Sequence, residues 1–118
     1  MSRKDKESQL HMKLYNRMYV RGIPDRKVIP TMNKMKRGKK VRDLYCITLP
    51  VFQDGILEIY EYSELLSDLY EKLEHPVIVI GIADSEENAT EMVRMIVDEV
   101  YQNSGAFDVE EYLGLTGK

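Results

Sequence analysis

The stretch "PVIVIGIA", residues 76–83, constrains this chain more than any other. Its eight residues fall far short of the ~20 needed to cross a bilayer. Its valines and isoleucines favour an extended backbone. A strand without polar alternation must be covered on both faces or nearly so. The rest of the chain has to supply that cover.

The flanking segments read as helices. Ser85 is a good N-cap for a helix over 85–103, with Ala89, Met92, Val93, Ile96, Val97, Val100 and Tyr101 along one stripe and Gly105 just past its end. "DVEEYLGL" adds a final helical turn. Ser63 caps a helix over 63–75 that presents Leu65, Leu66, Leu69, Tyr70 and Leu73, and Pro76 ends it.

Ahead of these helices, two β-rich runs at 41–52 and 55–62 flank "QDG" and predict a hairpin. A three-residue loop at Gln53-Asp54-Gly55 pairs Leu49 with Ile59 and Val51 with Leu57. This register gathers Tyr45, Ile47, Leu49, Val51, Leu57 and Ile59 on one apolar face. A two-residue turn at Asp54-Gly55 would instead oppose Val51 to Glu58. Pro50 cannot donate to a ladder and marks an edge or bulge.

Near the N-terminus, Leu10, Leu14 and Met18 recur every four residues, and Tyr15 and Tyr19 widen the stripe. This spacing predicts a helix over 4–20, stopped by Gly22 and Pro24. "IPDRKVIPTMNKMKRGKK" then reads as a long connector, with a short strand around Val28–Ile29. The expected order is α-β-β-α-β-α. The expected fold is an α+β two-layer sandwich: a small mixed sheet, made of the hairpin plus one buried strand, with helices mainly on one face. At 118 residues the chain suits a single domain. Residues 1–43 would form a basic N-terminal helix and connector, packed on or extending from a core at 44–118.

Charge divides at the same point. Residues 1–43 hold 14 Lys+Arg against 4 Asp+Glu, a balance of +10, whereas residues 44–118 hold 3 against 16, a balance of −13. Five of the ten residues in "TMNKMKRGKK" are cationic. Such asymmetry suggests either an anionic partner for the basic segment or its docking on acidic surface. Glu64, Asp68 and Glu71 on one helix, and Glu91, Asp98 and Glu99 on the other, are the acceptors expected for docking, within the chain or in a homodimer.

Catalytic and metal chemistry find little footing. The lone Cys46 cannot form an intramolecular disulfide and reads as a buried strand residue. His11 and His75 lack a partner at metal-ligand spacing. At "GIADSEENA", Glu86 and Glu87 occupy the first helical turn, where they suit the dipole and repel a phosphate. No GxGxxG or GxxxxGK[ST] motif is present. No cofactor is expected. The opening "MSRKDKESQL" has no apolar signal-peptide core, and a cytoplasmic protein that does not enter a membrane is expected.

Two functions lead, and an enzyme with a site assembled from scattered residues ranks last. The first is a non-enzymatic protein-interaction or self-associating module. The second is nucleic-acid binding through Lys34, Lys36, Arg37, Lys39, Lys40 and Arg42, whose charges suit phosphates. Tyr60 and Tyr62 lie on the second hairpin face with Cys46, Thr48, Ile56 and Glu58. They are candidates for partner contact if that face is open, although a covering element is the preferred expectation.

Overall fold

The computed structural model describes residues 12–51, 55–67, 73 and 75–115. Along the chain run β1 (Met12–Arg21), α1 (Asp25–Lys36), β2 (Tyr45–Thr48), β3 (Glu58–Glu61), α2 (Tyr62–Leu65), β4 (Val77–Ala83), α3 (Glu86–Ser104) and α4 (Val109–Tyr112). They form an α+β fold around one four-stranded mixed sheet of order β1-β4-β2-β3. The anticipated buried strand is β4, in which only Ile78 is less than fully buried. It pairs in parallel with β1 and antiparallel with β2.

The N-terminal segment departs from expectation. Residues 12–21 are a strand, not part of a helix over 4–20, and residues 1–11 lie outside the described residues. A repeat of four fits one helical turn, but it also fits two strand periods. The strand alternation sorts the side chains. Met12, Leu14, Met18 and Val20 pack with one buried cluster, and Tyr15 and Tyr19 with the other. An irregularity between Leu14 and Tyr19 interrupts the ladder. Residues 12–43 are therefore not an appendage to a core at 44–118, because β1 is part of the sheet.

The connector is corrected as well. Val28 and Ile29 lie in helix α1, and Pro30 stands inside it. An internal proline removes one helical hydrogen bond and reads as a breaker. Burial of Met32 and Met35 against the sheet offsets that loss. A buried methionine contributes roughly 1.5–3 kcal/mol.

The sheet is covered on both faces rather than mainly on one. Helix α3 crosses all four strands on one side, packing Ala89, Met92, Ile96 and Val100 onto Ile47, Ile80 and Ala83. Its boundaries are close to those predicted. Ser85 accepts the Asn88 N–H at 3.1 Å, and Gly105 closes the helix in the left-handed region at φ 76°. Helix α4 is tied to α3 and β1 through Glu99, which accepts hydroxyl hydrogen bonds from Tyr19 at 3.2 Å and Tyr112 at 2.9 Å. On the opposite face α1 and α2 cover Cys46, Val79 and Ile82.

The β2–β3 hairpin forms, but Ile47 rather than Leu49 faces Ile59, a slip of two residues. An even slip keeps the paired side chains on their faces, but beyond the ladder Val51 packs with the Cys46 cluster and Ile56 with the Ile47 cluster, the reverse of expectation. Proline at position 50 ends the ladder early. The Leu49 N–H then donates to the Ile78 carbonyl, and the Val51 N–H to a Glu58 carboxylate oxygen. Residues 52–54 of the expected turn lie outside the described residues. Helix α2 starts at Tyr62 with Glu61, not Ser63, at its N-cap. Leu73 and His75 are not helical, and residues 68–72 and 74 lie outside the described residues.

A bulge in β4 sets the distance between α3 and the sheet. One step along β2, from Ile47 to Thr48, spans two along β4, from Gly81 to Val79. A Cβ at Gly81 would come within 3.0 Å of Met92 Sδ and 3.2 Å of Ile47 Cδ1. Gly81→Val is expected to lower unfolding stability by about 1–3 kcal/mol through overpacking. Urea unfolding checks this, and an unchanged midpoint would show that α3 does not press on the bulge.

Candidate functional site

The basic segment is built on α1 and its exit. Helix α1 ends in a Schellman closure: the Lys39 N–H donates to the Lys34 carbonyl at 2.9 Å, and the Gly38 N–H to the Met35 carbonyl at 3.0 Å. Gly38 adopts φ 70°, a value that glycine reaches without strain. The chain therefore folds back at Gly38, which places Lys39 and Lys40 beside Lys34, Lys36 and Arg37. All six predicted cations, including Arg42, are exposed. Arg26 and Lys27, which the sequence reading passed over, join them from the first turn of α1. Against these eight cations, residues 25–43 hold two acids, Asp25 and Asp43.

Of the acceptors expected for docking, Asp68 and Glu71 lie outside the described residues, and Glu64, Glu91, Asp98 and Glu99 make no ion pair with this segment. Among the described residues the single ion pair is Arg94–Glu91, within α3. The attachment is apolar. Met35 is 1% exposed and packs in one cluster with Leu44, Cys46, Tyr62 and Leu65. Surface ion pairs contribute ~0–1 kcal/mol each, less than one buried methionine.

The two tyrosines differ in burial. Tyr62 is fully buried, so it cannot stack on a partner, and its hydroxyl donates to the Lys39 carbonyl at 2.6 Å. This bond ties the basic loop to the sheet. Tyr60 is half-buried and donates to Glu58 at 2.7 Å. The second hairpin face is thus covered, by α1 and α2 rather than by a helix over 4–20. Burial pushes the Cys46 thiol up to about 12. Burial, with Cys46 beside it, pushes the Tyr62 hydroxyl up to about 12.

A crevice of about 430 Å³ opens beside the basic segment, at the carboxyl ends of β1 and β4. Lys27, Thr31 and Lys34 line it from α1, Arg42 and Asp43 from the approach to β2, and Asp84 from the end of β4. Asp43 holds a left-handed backbone, φ 53°, which aspartate tolerates better than most residues. Asp84 accepts a hydrogen bond from Asn88 Nδ2 at 2.7 Å, and Asn88 Oδ1 accepts one from Arg21 Nε at 3.3 Å. Gly22, at φ 86°, lies so close that a Cβ there would overlap the Asp84 carboxylate. Sequence reasoning missed this site because it depends on β1 being a strand. The only local signal was a glycine followed by Pro24.

Among the described residues no group of three or more His, Cys, Asp or Glu is placed to hold a metal ion, and no helix is long and apolar enough to cross a membrane. His75 is exposed in the turn before β4, and His11 lies outside the described residues. No protein-family model matches the chain, and comparison with curated proteins and with solved structures finds no significant match.

The Tyr62–Lys39 bond has a measurable consequence. Tyr62→Phe keeps the ring and is expected to cost about 1 kcal/mol, with faster tryptic cleavage at 36–42. A variant equal to the parent in both respects would show that this bond does not hold the loop. The raised Tyr62 and Cys46 values also set an alkaline limit. The unfolded chain loses these protons from their ordinary values of 9.0 and 10.0, before the folded chain does. Their contribution is complete below about pH 9 and is lost as pH rises toward 12. A pH titration of urea midpoints checks the sign.

Proposed function

We propose that the protein is a non-enzymatic binding protein whose partner is nucleic acid, engaged through Arg26, Lys27, Lys34, Lys36, Arg37, Lys39, Lys40 and Arg42. The observation that carries this reading is the position of the basic segment. It lies across the sheet from the acidic helix α3, without an ion pair among the described residues.

Acidic side chains repel a phosphate backbone, so their position relative to the basic segment matters. The exposed Glu86, Glu87 and Asp98 belong to α3, on the far face, whereas the exposed Glu64 belongs to α2, which covers the same face as α1. Two packed layers at ~10 Å each separate α1 from α3 by roughly 20 Å. Screening acts over ~8 Å at physiological ionic strength. The far acids therefore weaken phosphate binding on the near face very little. A rigid helix with a folded-back loop also presents its cations with less ordering cost than a free arm.

The opposed charges support a second reading. The basic face of one copy complements the acidic face of another, a head-to-tail contact that has no need to close into a two-fold dimer. Sedimentation at low and high salt separates the two. Self-association predicts a mass that rises with concentration at low salt and falls at high salt, whereas a nucleic-acid binder stays monomeric at both.

Nucleic-acid binding makes a quantitative demand. Affinity for a duplex falls with salt, with a log–log slope of about −0.9 per phosphate neutralised. Lys36→Gln combined with Lys40→Gln is expected to make that slope shallower by up to about 2. Fluorescence anisotropy across a salt series measures it. No detectable binding at ~50 mM salt, with protein in the high micromolar range, would overturn the proposal.

A further inference from the structure

We propose that the crevice at the carboxyl ends of β1 and β4 is a binding site for a phosphate monoester. Its source is either the phosphorylated end of a nucleic-acid strand, which rests on the function proposed above, or a free nucleotide, which does not.

Topology supplies the first argument. β1 and β4 are parallel neighbours, and the helices that follow them pack on opposite faces of the sheet. Where neighbouring strands send their connections to opposite faces, the connections diverge and leave a gap beyond the strand ends. Here that gap is the crevice bordered by Gly22, just past β1, and Asp84, just past β4. Its volume of about 430 Å³ lies in the range of small-ligand sites and is too small to admit a duplex.

Charge distribution supplies the second. Lys27 and Lys34, two helical turns apart on α1, converge on the crevice with Arg42 from the facing segment. A terminal phosphate carries a charge of about −1.5 to −2 and three acceptor oxygens, whereas a phosphodiester carries one charge. The three cations outnumber the crevice's two acids, Asp43 and Asp84, by one, and that surplus attracts a monoester more strongly than a diester. No side chain caps the start of α1, where Pro24 holds the N-cap position. The start of α3 differs, being capped by Ser85 and followed by Glu86 and Glu87.

The acids supply the third. Asp43 and Asp84 share the crevice with the cations, so a second phosphate is disfavoured there. Their carboxylates accept hydrogen bonds, and a sugar hydroxyl attached to the bound phosphate would donate one. Asp84 is already positioned by Asn88, and that residue by Arg21. Glycine at position 22 leaves room for the Asp84 carboxylate against the end of β1.

The test uses one single-stranded decamer, unphosphorylated or carrying a terminal phosphate at its 5′ or its 3′ end, read by fluorescence anisotropy with the full chain. One terminal phosphate is expected to tighten binding at least about tenfold, the gain from a charged hydrogen bond. Lys27→Gln and Arg42→Gln should each remove most of that preference, whereas Lys36→Gln and Lys40→Gln should weaken all three decamers alike. A nucleoside 5′-monophosphate that displaces the phosphorylated decamer from the crevice identifies the free nucleotide as a sufficient ligand. Failure of that competition, with the preference intact, identifies the strand end. Equal binding of all three decamers overturns the crevice site and leaves nucleic-acid binding standing. If no decamer binds, nucleic-acid binding fails, and calorimetry with the monophosphate decides the crevice alone. Heat that Arg42→Gln abolishes supports the site, and no heat overturns it.

Discussion

The burial of β4 on both faces and along both edges is the constraint on which the rest depends. Its backbone pairs with β1 on one side and β2 on the other, and six of its seven residues are fully buried. An unpaired backbone group at such depth would cost about as much as a lost hydrogen bond. Two strand neighbours and two layers of helix are therefore required. With α3 taking one face, the other must be covered by chain from elsewhere, and α1 and α2 supply it.

This requirement explains the charge pattern. The segment that covers the second face carries its apolar residues inward, at Met32 and Met35, and its cations outward. For α1 and α3, segregation of charge along the sequence becomes segregation across the sheet, while Glu64 of α2 shares the face of α1. Attachment through methionines leaves the cations without acidic partners among the described residues, whereas attachment through ion pairs would have consumed them. A basic face held rigidly and apart from the acidic one is the property from which the functional reading follows. The crevice is the place where the two helix connections part, and it exists because β1 and β4 are parallel and adjacent.

Errors in the sequence reading trace to particular residues. Pro30 concealed a helix because its local cost is visible in sequence, whereas the compensating burial of Met32 and Met35 is not. Pro50 was recognised as a ladder breaker, yet the two-residue slip that placed Ile47 opposite Ile59 depended on the Leu49 bond to β4. Tyr62 was a candidate for partner contact only on an open face, and the turn at α2 directs it inward to the Lys39 carbonyl. The six cations of the basic segment are exposed, which is legible in sequence because charge needs no tertiary partner to stay at the surface.

Sequence by itself determined the elements whose signals are local and unambiguous. The run at 76–83 could only be a buried strand, the cap at Ser85 and the glycine at 105 bounded α3, and the division of charge near residue 43 was plain. Tertiary structure alone decided the state of residues 12–21, since a repeat of four suits a strand as well as a helix. Only an edge of β4 left open for pairing resolves that choice. The crevice was decided at the same step, because its walls join Gly22, Arg42 and Asp84 from three separate parts of the chain. No local pattern encodes such a meeting: it follows from which strands pair and to which faces their helices turn.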